Sequence, residues 1–151
     1  MRSLRAGILQ QCRNQTQQKV RYIRDWSNGS NVNNGNYWVE MQAFIGGINV
    51  ALKKPVTSNF GVSYSERAVD NNTNSNPYVF GSLGVLQYLQ VDLGTPMDVS
   101  QVKIWRYFAD HRIFNKTKTE VSSDGITWVV LFDSSIEGTY VETEAGRTYT
   151  L

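Results

Sequence analysis

The chain has 151 residues, with 15 Lys and Arg against 13 Asp and Glu, a formal charge of +2. That length suits one domain with a sizeable core, and the balance of 40% hydrophobic to 19% charged residues argues against disorder and against a coiled coil. Basic charge is not concentrated, so nucleic acid is not an expected partner. With one cysteine (Cys12) and one histidine (His111), neither an intrachain disulfide nor a His/Cys zinc cluster can be assembled.

The first residues, Met1 to Cys12, hold an apolar run (Ala6–Leu9) too short for the core of a secretory signal. A polar arm over residues 1–18 is expected ahead of a single domain over 19–151. No stretch approaches the roughly 20 apolar residues of a membrane span, so no membrane insertion is expected.

The body reads as an all-β protein. Four Trp, eight Tyr and six Phe sit among abundant Val, Thr, Asn and twelve Gly, the mixture of pleated strands joined by turns. Strands are expected at Val20–Trp26 and Trp38–Phe44. Over Val85–Leu93, strict alternation places Val85, Leu89, Val91 and Leu93 on one face and Leu86, Tyr88, Gln90 and Asp92 on the other. Val102, Ile104, Arg106 and Phe108 alternate with Lys103, Trp105 and Tyr107. Thr117–Ser122, Thr127–Asp133 and Thr139–Thr143 follow as candidates, with Asp124-Gly125 as a hairpin turn, because glycine accepts the positive φ such turns require. Short strands punctuated about every ten residues describe a sandwich or jelly roll.

Four segments then carry a family pattern: Ala68-Val69-Asp70-Asn71-Asn72-Thr73, Leu89-Gln90-Val91-Asp92-Leu93-Gly94, Val102-Lys103-Ile104 and Ser122-Ser123-Asp124-Gly125-Ile126-Thr127-Trp128. In this order they resemble the discoidin-like, coagulation-factor type C domain, a galactose-binding-like jelly-roll β-sandwich that often serves as a carbohydrate-binding module. Asn71 stands where the family usually has glycine, and Pro77-Tyr78-Val79-Phe80 where a tryptophan is common. The run Val102–Arg112 and Thr117–Val121 looks most like such domains in bacteriophage tail and bacterial surface proteins.

Val20-Arg21-Tyr22-Ile23-Arg24-Asp25-Trp26 and Tyr37-Trp38-Val39-Glu40-Met41, with the polar loop between, resemble the hairpin that closes such a domain. Here they precede Asn49–Thr57, which resembles the opening strand. A circular permutation accounts for this order, with the N-terminal segment supplying the closing hairpin. A swap that completes a neighbouring subunit is the competing account.

The resemblance implies a structural calcium ion held by Asp70 and Thr73 side chains, carbonyls of Arg67 and Asn72, and Glu40 from the displaced hairpin. A loop of mixed oxygen donors suits calcium, while Asx-turns at Asp70 and Asn71 would explain the same residues without metal. The resemblance places sugar ligands in loops at one end of the sandwich: Phe80, Arg106, His111 and Arg112, with Tyr78, Tyr107 and Asn59 behind them. Aromatic faces take sugar C–H groups, and Arg or His donate to hydroxyls. The four tryptophans are read as core or edge packing, and Arg24 as a partner of Asp25 or Glu40. No nucleophile elbow, phosphate-cradling loop or catalytic carboxylate pair is recognisable, so no enzyme is expected. The expectation is a lectin-like module binding a host or cell-surface polysaccharide, within a virion tail or extracellular surface assembly, as a homo-oligomer or part of a larger complex. The alternative is a structural adaptor without sugar binding.

Overall fold

A computed structural model of the chain describes residues 18–151. The expected N-terminal arm lies outside the described residues apart from Gln18. The strands are β1 (Val20–Ser27), β2 (Gly35–Ile45), β3 (Ile48–Asn49), β4 (Val56–Ser58), β5 (Val79–Leu83), β6 (Gln87–Met97), β7 (Gln101–Arg106), β8 (Lys118–Ser122), β9 (Val129–Asp133) and β10 (Arg147–Thr150). A 3₁₀ turn (Ser65–Val69) and one short helix, α1 (Ser134–Glu137), complete the elements. No helix among the described residues is long and apolar enough to cross a membrane.

The strands form two antiparallel sheets of a β-sandwich. The first runs β4-β6-β1-β8-β9; the second runs β10-β7-β2-β3, with β5 also paired to β2. Period-two alternation explains which residues meet between them. Ile23, Leu89, Val91, Leu93 and Val121 from the first sheet and Trp38, Met41, Ala43, Val102 and Ile104 from the second form one buried cluster. Burial of each Val, Leu, Ile or Met side chain among them contributes about 1.5–3 kcal/mol before entropy is counted. The expected alternation in β6 and β7 holds: Leu89, Val91, Val102, Ile104 and Arg106 all face inward.

Val20–Trp26 and Trp38–Phe44 are strands, as expected, but not a hairpin. β1 pairs with β6 and β8, whereas β2 pairs with β3, β5 and β7. The loop between them carries the chain from one sheet to the other, and residues 20–45 complete this chain's own sandwich. The polar crossing is held at its root by Asn36, whose Oδ1 accepts from Ser27 Oγ at 2.8 Å and Gly29 N–H at 2.9 Å. Facing side chains fix the arrangement: Trp38 Nε1 on β2 donates to Asp25 Oδ2 on β1 at 2.8 Å.

Two other expectations change. Thr139–Thr143 is not a strand; only Val141 makes an isolated bridge, to Ile113, and the second sheet's edge is instead Arg147–Thr150. The Asp124-Gly125 turn does join β8 to β9, with Gly125 at φ +76° and Asp124 Oδ1 accepting from Ile126 and Thr127 N–H groups at 2.9 and 2.8 Å.

Candidate functional site

The outer face of the second sheet carries two adjoining groups of residues. The first is a terrace of aromatic rings. Tyr37 enters β2 and is the cross-strand partner of Phe80 on β5; a Cβ at Gly35 would collide with the Tyr37 ring, which lies over the backbone there. Tyr107 follows β7 and its N–H donates to the Tyr37 carbonyl at 3.1 Å. Tyr64 precedes the 3₁₀ turn at φ +61° and is brought alongside by the bridge between Ser63 and Phe80. Ring centroids stand 4.6 Å apart for Tyr78–Phe80, 4.9 Å for Tyr78–Tyr107, and 6.0 Å for both Tyr37–Phe80 and Tyr64–Phe80. Phe80 is 41% and Tyr64 51% exposed, so rings that stabilise one another also face solvent.

Arg112 backs this terrace. Its guanidinium carbon lies 4.6 Å from the Tyr107 ring centre and 5.5 Å from that of Tyr37, within cation–π range. Nε and Nη2 donate to the two Asp110 oxygens at 2.9 and 2.8 Å. That fork holds the Asp110 carboxyl below the usual carboxylate range and raises the guanidinium's own affinity for its proton. The side chain is only 8% exposed, and Nη1 is buried without a hydrogen-bond partner among the described residues. A buried donor left unpaired is costly.

The second group is the loop after the 3₁₀ turn. Glu40 is fully buried on β2; its Oε1 accepts the Asp70 N–H at 3.2 Å and its Oε2 accepts Gln42 Nε2 at 2.9 Å. Burial pushes its carboxyl up to about 7, with Asp70's charge adding to the rise and the hydrogen bonds opposing it. The expected Asx-turn at Asp70 is present, Asn72 N–H donating to Asp70 Oδ1 at 2.9 Å; the second lies at Asn72, which accepts from Asn74 N–H at 3.0 Å, and not at Asn71 as expected. Asn71 adopts φ +66°, and its side chain accepts from Asn49 Nδ2 at 2.7 Å.

Among the described residues, no three His, Cys, Asp or Glu side chains gather as a metal cluster. The loop offers two carboxylates, the Thr73 hydroxyl and backbone carbonyls, an all-oxygen set that fits calcium and does not fit softer metals. A buried carboxylate raised in this way is where a cation would be most stabilising.

The five residues expected to bind sugar therefore separate. Tyr78, Phe80 and Arg112 come together on the terrace. His111, exposed at φ +54°, lines a different shallow cleft of about 530 Å³ with Phe108 and Glu144. Arg106 does not emerge at an edge, because Asp25 holds it inside. Its side chain is fully buried and forks onto Asp25, Nη2–Oδ1 at 2.7 Å and Nε–Oδ2 at 2.9 Å. Burial works against its charge, but Asp25, Tyr140 and Glu142 outweigh that and hold its proton more tightly than usual. It has no face left for a ligand.

Asn59 brackets strands, accepting from Tyr88 N–H at 2.9 Å. Arg24 meets neither Asp25 nor Glu40; it donates to Gln90 Oε1 at 2.9 and 2.7 Å. Trp38 and Trp105 are core, while Trp26 and Trp128 pack on the outer face of the first sheet. Tyr37, Tyr64 and Asp110 complete the terrace without a local sequence signal, since they reach it from separate elements. Comparison of the chain with family models, with curated proteins and with solved structures returns no match.

Proposed function

We propose that the chain is a non-catalytic, lectin-like module that recognises a cell-surface glycan, with the terrace of Tyr37, Tyr64, Tyr78, Phe80 and Tyr107 as its sugar platform. The discoidin-like sequence resemblance supports this reading, and the observation that carries it is the half-exposed aromatic terrace, held from behind by the buried Arg112 guanidinium. Aromatic faces meet the C–H faces of pyranose rings, and a guanidinium donates to hydroxyl oxygens. A shallow site of this kind binds weakly, so function depends on several copies, as in a phage tail or other surface assembly.

Glu40, Asp70 and Thr73 side chains with the Arg67 and Asn72 carbonyls would hold a calcium ion. Its chemistry there is charge neutralisation and loop fixation, with no part in a reaction. A glycan array and a bacterial cell-wall pull-down test the function: wild type binds a defined subset of surface glycans without releasing sugar, and Phe80→Ala with Tyr64→Ala abolishes that binding. Equal binding by the double variant, or hydrolysis of the glycan, contradicts the reading.

One observation favours the adaptor reading. On the opposite outer face Arg24 lies 4.0 Å from both the Tyr88 and Trp128 ring centres, and the same sheet's strands and turns leave Leu86 and Val130 exposed, a mix of aromatic, arginine and apolar surface suited to a protein partner. Ligand-independent oligomerisation lost on Trp128→Ala would support it.

A further inference from the structure

The proposed calcium loop and the aromatic terrace share two elements. β2 carries Tyr37 to the terrace and, three residues later, Glu40 to the loop. The 3₁₀ turn begins after Tyr64 on the terrace and is capped at its other end by Asp70. Between them stands Arg67. Its guanidinium carbon lies 3.9 Å from the Tyr64 ring centre, its Nη1 donates to the Tyr78 carbonyl at 3.0 Å, and its N–H donates to the Tyr64 carbonyl at 3.0 Å. One residue thus braces two terrace tyrosines with its side chain, while the sequence resemblance gives its own carbonyl to the metal.

From this placement we infer that calcium binding at the loop is coupled to the terrace through Arg67, so that metal and glycan favour each other's binding. The inference rests on the proposed calcium and glycan sites. Ordering the backbone from Arg67 to Asn72 around an ion fixes the segment that positions the Arg67 side chain, and with it Tyr64 and the entry to β5. Ligand binding to the terrace then no longer bears the cost of ordering it. Reciprocity requires that glycan tighten calcium by the same factor. The expected sign is positive, because Arg67 braces Tyr64 and Tyr78 from within the turn that would hold the metal.

The test is a calcium titration of the full chain, followed by calorimetry and by NMR of the aromatic rings. Wild type is expected to bind one calcium, with Tyr64, Tyr78 and Phe80 ring signals shifting at the same midpoint as the 67–73 amides. Arg67→Met keeps the carbonyl and removes the brace; it is expected to bind calcium while the three rings no longer respond. Arg67→Lys, which keeps the charge without the planar fork, is expected to show the same loss and serves if the Met variant does not fold. With a glycan taken from the array, calcium should raise wild-type affinity at least about fivefold, a usual size for such coupling, and leave the Arg67 variants unchanged. Calcium binding that leaves the wild-type rings unmoved overturns the coupling alone. Absence of calcium heat overturns the metal site and the coupling together, leaving the terrace to stand on its glycan binding.

Discussion

Arg106 and Asp25 meet across the sandwich through two hydrogen bonds, one at 2.7 Å and one at 2.9 Å, both groups fully buried. The same carboxylate accepts from Trp38 Nε1 at 2.8 Å and from Thr119 Oγ1 at 2.7 Å. Arg106 Nη1 continues to Tyr140 Oη at 2.6 Å and Glu142 Oε1 at 3.3 Å. Four strands and the segment before β10 are joined at one polar point inside an apolar core.

Breaking that pair leaves an uncompensated buried charge, which typically costs about 3–5 kcal/mol. Asp25→Ala is therefore expected to lower the unfolding free energy by about that amount in urea denaturation. A loss below about 1 kcal/mol would show that the pair does not hold the sheets together.

β1 separates β6 from β8, and β2 separates β7 from β5. Deleting residues 1–44 removes the middle of both sheets and is expected to give an insoluble or unfolded product, since the remaining strands have no ladder between them. Deleting residues 1–17 should leave the circular dichroism and thermal unfolding unchanged. A well-folded 45–151 fragment would contradict this strand order.

Residues 19–44 are expected to work equally well when moved behind Leu151 through a short flexible linker. Both segments already meet at the turn between β6 and β7: Leu151 N–H donates to the Ser100 carbonyl at 3.0 Å, and Lys19 Nζ pairs with Asp98 Oδ1 at 2.9 Å. Segments that end close together tolerate such rearrangement. Failure of the rearranged chain to give a dispersed NMR spectrum would count against the topology.

The alternation of β6 and β7 was legible because period-two burial is a local property of the chain. Arg106 could be placed on the inward face by parity, yet its role could not be read, because its partner is Asp25, an acidic residue at an inward position of a strand 81 residues away. The segment over residues 20–44 was legible as two strands, but not as strands of opposite sheets. Trp38 and Asp25, which settle that point, touch only once the sandwich is closed. On the site, Tyr78, Phe80 and Arg112 were within reach of position along the chain. Tyr64 and Tyr37 were not, because pairing of β5 with β2 and the Ser63 bridge bring them in.

Glu40 makes metal-free stability depend on pH. Burial first, then Asp70, hold its folded-state value at about 7 against an ordinary 4.5, so the folded protein binds more protons between those limits. Stability is fully present below about pH 4.5 and falls as pH rises through 7, by on the order of 3 kcal/mol for this group. Glu142, raised to about 7 chiefly by burial, acts in the same direction. In chelator, melting temperature should fall from about pH 5 to pH 8, and Glu40→Gln should flatten that fall. A profile that rises over this range would contradict the assignment.

Calcium is expected to reverse the loss at neutral pH, because a ligand bound only by the folded state stabilises it by mass action. Asp70→Ala should abolish the calcium-dependent rise in melting temperature while leaving the melting temperature in chelator within a few degrees of wild type. No rise for wild type on adding calcium would remove the structural metal.

The most direct measurement is NMR mapping of the best array glycan on the folded chain at saturating calcium. The account predicts shifts centred on the rings of Tyr37, Tyr64, Tyr78, Phe80 and Tyr107 and on the Arg112 side chain. Shifts confined to Trp26, Tyr88 and Trp128 on the opposite sheet, or no shifts at glycan concentrations that saturate the array signal, would contradict it.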